Sequence, residues 1–317
     1  MTEELIKVEN LKKYYKVPAG WLHAVDDVSF SIGKGETLGL VGESGCGKST
    51  IGRVLLRLIS HTDGHVYYKG RDVLQCSDKE MRKLRQDMQI IFQDPYSCLN
   101  PRKTIGQIIG EPLVVNEGMK GKALEERVLE LMDKGGVSPK LFHSYPHELD
   151  GGRRQRVGII RALALNPGFI VCDEPVSSLD VSIQAQILNL LSDLQESMGL
   201  TYLFISHDLS VVRHISNRIA VMYLGQIVEL CSSSELFTNP LHPYTKALLS
   251  AVPVAKYNQR RERILLRGDV PSPVNPAEGC RFAGRCWMAQ EICRKEMPSL
   301  KAAGKGHMAA CHFCESE

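Results

Sequence analysis

The chain has 317 residues, 43% of them hydrophobic and 6% aromatic, with 39 basic against 36 acidic side chains. That length suits one large domain with an appendage, or two modest domains. The near balance of charge and the scarcity of aromatic rings exclude a DNA-tracking surface and a stacking platform for single strands.

The N-terminus, MTEELIKVEN, is acidic and has neither the basic nor the apolar region of a signal peptide. No run reaches the roughly 18 apolar residues that span a bilayer. The chain is therefore expected in the cytosol, meeting any membrane through a partner. Residues 5–41 alternate apolar stretches with turn signals and predict short strands, the last of them, TLGLVG, entering a glycine-rich loop. Helical spacing follows over 50–59. Residues 64–92 predict a hairpin, a helix and an apolar strand ending in QIIFQ. The stretch from 95 to about 160 carries Pro95, Pro101, Pro112, Pro139 and Pro146, an amphipathic helix near 122–134 and a helix over 153–165, and predicts a mostly helical insertion. Two buried strands (169–173 and 201–208) flank a long amphipathic helix over 182–198. A last pair of strands runs over 218–230. Beyond about 231–235 prolines, basic residues and cysteines dominate, which predicts domains of 1–231 and 232–317.

Gly42-Glu43-Ser44-Gly45-Cys46-Gly47-Lys48-Ser49-Thr50 matches G-x-x-x-x-G-K-[ST] between a strand and a helix. Glycines let the backbone curl so that its N–H groups face phosphate oxygens, and the helix N-terminus adds its positive dipole end. Lys48 is expected on the β- and γ-phosphates and Ser49 on Mg²⁺. Cys46 reads as a small loop residue rather than a reactive thiol. Phe169-Ile170-Val171-Cys172-Asp173-Glu174 is an apolar strand ending in two carboxylates. Alone this is an ordinary strand end. Paired with the loop, Asp173 becomes a Mg²⁺ ligand and Glu174 the general base that polarises the attacking water.

The residues between and after these motifs resemble the nucleotide-binding subunit of ABC transporters. The resemblance implies an α/β fold, a P-loop NTPase core of the ABC type with an N-terminal antiparallel β subdomain, a helical insertion and a small cysteine-rich C-terminal extension. By that match Gln93 is the Q-loop glutamine, near Mg²⁺ and the attacking water. Leu149-Asp150-Gly151-Gly152-Arg153 stands for the LSGGQ signature and Ser178-Leu179-Asp180 for the D-loop. His207 is the H-loop histidine on the γ-phosphate, and Tyr15, with Tyr14 as its competitor, the ring that stacks on adenine. Each has a bland reading alone; a histidine at a strand end is usually a polar cap. Their order across some 200 residues carries the resemblance. It implies a dimer in which each ATP lies between the loop of one chain and the signature of the other.

The signature departs from the family pattern: Asp150 replaces serine and Arg153 replaces glutamine. An ionised Asp cannot donate to a γ-phosphate. Like charges about 4 Å apart repel by roughly 4 kcal/mol at an effective dielectric near 20, about a thousandfold in rate if unrelieved. Relaxation, protonation, Arg153 or Arg154 would each soften this. The expectation is a heterodimer with unequal sites, because Asp150 faces the partner's ATP.

Of ten cysteines, Cys280, Cys286, Cys293, Cys311 and Cys314 crowd the last 40 residues. A cytosolic setting disfavours disulfides. Four thiolates can hold Zn²⁺ or an iron–sulfur cluster; the C-x₂₋₄-C hooks of zinc sites are absent, and the wide gaps suit a bulkier cluster better. PLHPYTKALLS (240–250), GCRFAGRC, MPSL and ACH resemble the segments that follow the core in the oligopeptide/dipeptide branch. That match implies a [4Fe–4S] cluster on Cys280, Cys286, Cys293 and Cys311, with Cys314 spare. Such a cluster would staple an extension too poor in apolar residues to fold by burial. The implied partners are a second ATPase subunit, two transmembrane permeases and an extracytoplasmic peptide-binding protein. The implied place is the cytoplasmic face of the inner membrane. A soluble ATPase acting on ribosomes or DNA, and an iron–sulfur regulatory protein, are the competing classes. The first lacks its usual second nucleotide domain or coiled coil here. Asp150 lends the second slight support.

Overall fold

The computed structural model describes residues 3–94, 96–252, 263–266, 268–304 and 306–314. They fall into two compact units, one of residues 1–33, 37–74 and 206–317, the other of 34–36 and 75–205.

The first unit begins with two 14-residue strands, Glu4–Val17 and Gly20–Gly33, where the sequence predicts several short ones. They pair antiparallel through register shifts that absorb the polar interruptions. Asn10 and Asp27 both take left-handed φ values, 48° and 56°, and the Asn10 side chain donates to Asp27 at 2.9 Å. These bulges let the ladder continue where strict alternation fails. The strand Asp63–Tyr68 adds to the other edge of Glu4–Val17. A second set of strands packs in the same unit. Thr37–Val41 is buried along its whole length and lies parallel to Arg218–Tyr223, as expected of a strand covered on both faces. Gln226–Ser232 pairs antiparallel with Arg218–Tyr223, then with His307–Ala309, which in turn pairs with Lys301–Gly304.

The expected boundary near 231–235 therefore falls inside this unit. Glu229 lies opposite Ala309, and Leu230 opposite Met308, so the late chain returns to extend the sheet.

In the second unit Met88–Ile91, Phe169–Asp173 and Thr201–Ser206 run parallel. The helical insertion consists chiefly of Ile105–Glu117, Gly121–Lys134 and Gly151–Leu163, which bury Ile105, Ile109, Val128, Met132, Val157 and Ile160 together. Pro112 lies inside the helix Ile105–Glu117 rather than at a break. Its missing N–H costs one backbone bond, and its own carbonyl accepts from the Asn116 side chain at 2.9 Å. Among the described residues no helix is long and apolar enough to cross a membrane.

Candidate functional site

The phosphate loop lies in the first unit, between Thr37–Val41 and the helix Lys48–Leu55. Two of its glycines are fixed by close approach. A Cβ on Gly42 would meet the Met222 carbonyl oxygen at 2.1 Å, and one on Gly47, at φ +108°, would meet that of Ala24 at 2.0 Å. Gly45, at φ +79°, faces open space. The helix starts from Gly47 without a side-chain cap, and the positive dipole end of a helix N-terminus favours an anion. Lys48 is 4% exposed, and its ammonium donates to the carbonyls of Gly42 at 2.8 Å and Glu43 at 3.1 Å. It thus lies along the inner side of the loop. Ser44 is exposed, while Ser49 and Thr50 are half-buried at the helix start. The Cys46 thiol is buried, and burial raises its pKa, which keeps it a protonated packing group.

On the neighbouring hairpin the two tyrosines have parted company. Tyr14 stacks on His23 with ring centroids 3.9 Å apart and donates its hydroxyl to Asp26. Tyr15 is 37% exposed, with the Lys13 ammonium 4.6 Å from its ring centre. A ring available for stacking is therefore Tyr15.

In the second unit Asp173 ends its strand at 2% exposure. Glu174 follows with φ +49°, a left-handed value uncommon for a non-glycine residue. Its backbone N–H donates to Ile205 at 3.0 Å, and its carboxylate accepts from the Gln93 side chain at 2.9 Å. The two residues are 81 positions apart in sequence, yet the fold brings them together. His207 follows the strand Thr201–Ser206 and is exposed.

The signature sequence begins the helix Gly151–Leu163, with Asp150 as its N-cap. One carboxylate oxygen accepts the Arg153 backbone N–H at 2.8 Å, and the other lies 3.4 Å from the Arg153 guanidinium. The two departures from the family pattern thus face each other. Arg154 instead donates to the Pro146 and His147 carbonyls and stacks 3.7 Å from the Tyr96 ring centre. A Cβ on Gly152 would come within 2.7 Å of Ile183, so glycine lets the signature helix pack closely on Val181–Met198. Asp180 caps that second helix, accepting from Ile183 at 3.0 Å.

The cysteine-rich segment has little regular structure beyond the short helix Glu291–Lys295 and the two late strands. Its turns close on themselves: the Cys280 N–H donates to the Cys293 carbonyl at 2.7 Å, and Ala283 donates back to Cys280 at 3.0 Å. Burial pushes the Cys280 thiol up to about 11, and the neighbouring Cys293, Cys286 and Cys311 thiols add to the rise. Burial also raises Cys286, with further contributions from Cys311 and Cys293. Cys280 and Cys286 are thus each within electrostatic reach of Cys293 and Cys311. The Cys311 thiol is lowered to about 6, chiefly by the hydrogen bond from Cys314. Cys314, expected as spare, is that donor.

Among the described residues one other group gathers three metal-ligand atoms within 4.8 Å: Glu229, Cys231 and His307. Glu229 is fully buried and already accepts from Leu241, His242 and His307 at 2.7–2.9 Å. Burial pushes the Cys231 thiol up to about 12. A satisfied carboxylate beside a protonated thiol is a hydrogen-bonded core group.

Two positions lay beyond sequence reasoning. Arg285 donates to the Glu43 carboxylate of the phosphate loop at 2.9 and 3.2 Å, and the Tyr244 hydroxyl accepts the Glu43 backbone N–H at 2.9 Å. Glu43 counts as a free position in the loop pattern, and no local signal pairs it with residues some 200 positions away.

A family model described as "ABC transporter" matches residues 25–177, and one described as "Oligopeptide/dipeptide transporter, C-terminal region" matches 228–293. The chain is 52% identical to the oligopeptide transport ATP-binding protein AppF of Bacillus subtilis, covering 98% of both chains. It is 50% identical to the dipeptide transport ATP-binding protein DppF of Haemophilus influenzae, covering 97% of this chain and 96% of that one. Among solved structures it resembles the ATP-binding cassette MJ0796, a dimer in a post-hydrolysis state bound to ADP and Pi. The TM-score is 0.66 at 31% identity, over 72% of this chain and 99% of that one.

Proposed function

The chain belongs to the ABC transporter family, in its oligopeptide/dipeptide branch, and is an ATP-hydrolysing subunit; from that premise we propose that it powers import of dipeptides or oligopeptides. The observation that carries the hydrolytic part is the pairing of Gln93 with Glu174 at 2.9 Å. It holds a carboxylate at the end of a buried strand, the place for a general base that orients water. Lys48 and the loop amides of 42–50 carry the phosphates, Tyr15 takes the adenine and His207 the γ-phosphate. Gly151 and Gly152 present the signature helix start to the partner's nucleotide.

Hydroxyl, carboxylate and amide oxygens are the ligand set that Mg²⁺ takes. Ser49, Asp173 and Gln93 supply one of each. The ion would neutralise charge on the phosphates.

We read the late cysteines as a cluster site rather than a zinc site because the C-x₂₋₄-C hooks of zinc sites are absent from 280–311. Cys280 and Cys286 each feel the charge of Cys293 and Cys311, which supports one shared site. Cys280, Cys286, Cys293 and Cys311 would therefore hold a [4Fe–4S] cluster, whose chemistry is electron storage or, here, a structural staple.

The partners in this reading are a second ATPase subunit, two membrane-spanning permeases and an extracytoplasmic binding protein, with this chain peripheral on the cytoplasmic face. Affinity purification from membranes, mass spectrometry of the partners and peptide uptake with and without Glu174→Gln test the proposal. Permeases that co-purify, with uptake lost in the variant, are the expected result. Ribosomal proteins in their place would overturn it.

A further inference from the structure

The cysteine-rich segment reaches back to the nucleotide-binding elements of its own unit at two points. Arg285, between the turns of Cys280 and Cys286, makes an ion pair with Glu43 in the phosphate loop, one guanidinium nitrogen donating to both carboxylate oxygens. The guanidinium side chain is 10% exposed and the carboxylate 29%, so the pair is largely withdrawn from solvent. Glu43 is held from the other side as well, because its N–H donates to Tyr244. Four residues before Arg285, Arg281 pairs with Asp26, which also accepts from Tyr14 and lies 3.1 Å from His23. Between the two arginines Phe282 is buried against Tyr223 and Tyr244, at centroid distances of 5.2 and 5.5 Å. That aromatic contact fixes where both guanidinium groups project.

A loop of this kind needs such support. A Cβ on Gly45 would face open space, and glycine-rich backbone loses the most freedom when it is ordered around a ligand. Residues that order it beforehand lower the cost of binding. We propose that Arg285 is a positioning residue for ATP, acting through Glu43 to hold the phosphate loop in its binding shape. The cysteine-rich segment is then the mount that aims it.

This rests on the reading of residues 42–50 as the ATP site, so the test separates the two. ATP affinity, KM and kcat are measured on the full chain purified with its partners, for Lys48→Ala, Arg285→Ala, Arg285→Lys, Glu43→Gln and the double variant Glu43→Gln/Arg285→Ala. Arg285→Ala is expected to raise KM and weaken ATP binding about tenfold while kcat holds. Glu43→Gln should do the same, the double variant no worse, and Arg285→Lys should recover part of the loss. Coupling is reciprocal, so ATP should slow hydrogen exchange at residues 280–286 in the parent and not in Arg285→Ala. Unchanged ATP binding in both single variants, or losses that add in the double, would overturn the proposal. If Arg285→Ala does not fold, Glu43→Gln carries the same readouts from the loop side. Lys48→Ala that abolishes binding while Arg285→Ala leaves it intact sinks this inference alone. Lys48→Ala that binds ATP normally sinks the reading beneath it.

Discussion

The phosphate loop and the cysteine-rich segment obtain their shapes by opposite means. The loop owes most of its shape to its own nine residues: glycine at 42 and 47, where the Met222 and Ala24 carbonyl oxygens would lie about 2 Å from a Cβ, and lysine at 48, which folds along the curve; from outside, Arg285 and Tyr244 add their hold on Glu43. The cysteine-rich segment has few ladder bonds of its own. It is held by single contacts to distant parts of the chain, such as Arg281 to Asp26 and Asn275 to the Trp21 backbone. A mainly local element should lose most when its own residues change and less when a remote contact is cut. An element held by remote contacts should be sensitive to each of them.

The largest effect should come from the self-contained chemistry. Glu174→Gln keeps a hydrogen-bonding partner for Gln93 but removes the base. ATPase activity should fall by about 10²–10⁴-fold with ATP affinity kept, as single-turnover and binding measurements would show. A fall below threefold would mean that another group orients the water.

The remote element should break more broadly. Removing one thiol from a group of four that share charge, as in Cys286→Ser, is expected to lose iron and the absorption near 400 nm together. The melting temperature should fall by several degrees, as a loss of about 1–2 kcal/mol does in a chain of this size. Anaerobic protein that holds no iron to begin with, yet melts cooperatively, would show that contacts alone hold the segment.

These two regions also differ in how far they could be foreseen. Gly42, Lys48 and Ser49 are visible because phosphate binding by backbone amides demands a fixed local spacing. Gln93 and Glu174 were legible only as members of an ordered set, since nothing local pairs residues 81 positions apart. Glu43–Arg285 was invisible: an acidic residue in a free loop position and an arginine among cysteines are ordinary until 242 intervening residues are folded. The two long N-terminal strands were misjudged for a related reason. Their bulges at Asn10 and Asp27 break the alternation from which strand length is read.

The junction between core and extension offers a titration. His242 is 2% exposed, and burial lowers its pKa to about 4. Its ring nitrogen accepts the Tyr244 N–H at 3.1 Å as a helix cap, a role for the neutral form. The unfolded chain, with an ordinary value near 6.5, takes up the proton first. Stability is therefore full above about pH 6.5 and declines as pH falls toward 4, by up to about 3 kcal/mol. Urea unfolding at pH 7 and pH 4.5 measures this. His242→Asn, which keeps a capping acceptor but cannot titrate, should flatten the slope.

The smallest effect is expected at the signature, where the two departures answer each other. Asp150 alone would place an uncompensated charge before a partner's phosphate. With Arg153 at 3.4 Å its charge is locally balanced, and its other oxygen is spent on the helix cap. Both side chains are more than half exposed, so screening shrinks what remains. Asp150→Ser, which retains the cap, should change the ATPase rate of the assembled complex by less than about threefold. Arg153→Gln should slow it further than Asp150→Ser does, because it strips the balance and leaves the carboxylate. The double variant, restoring the family pattern at both positions, should recover the rate. If Arg153→Gln is silent while Asp150→Ser accelerates hydrolysis severalfold, the carboxylate acts on the partner's nucleotide unshielded, and the case for unequal sites grows stronger.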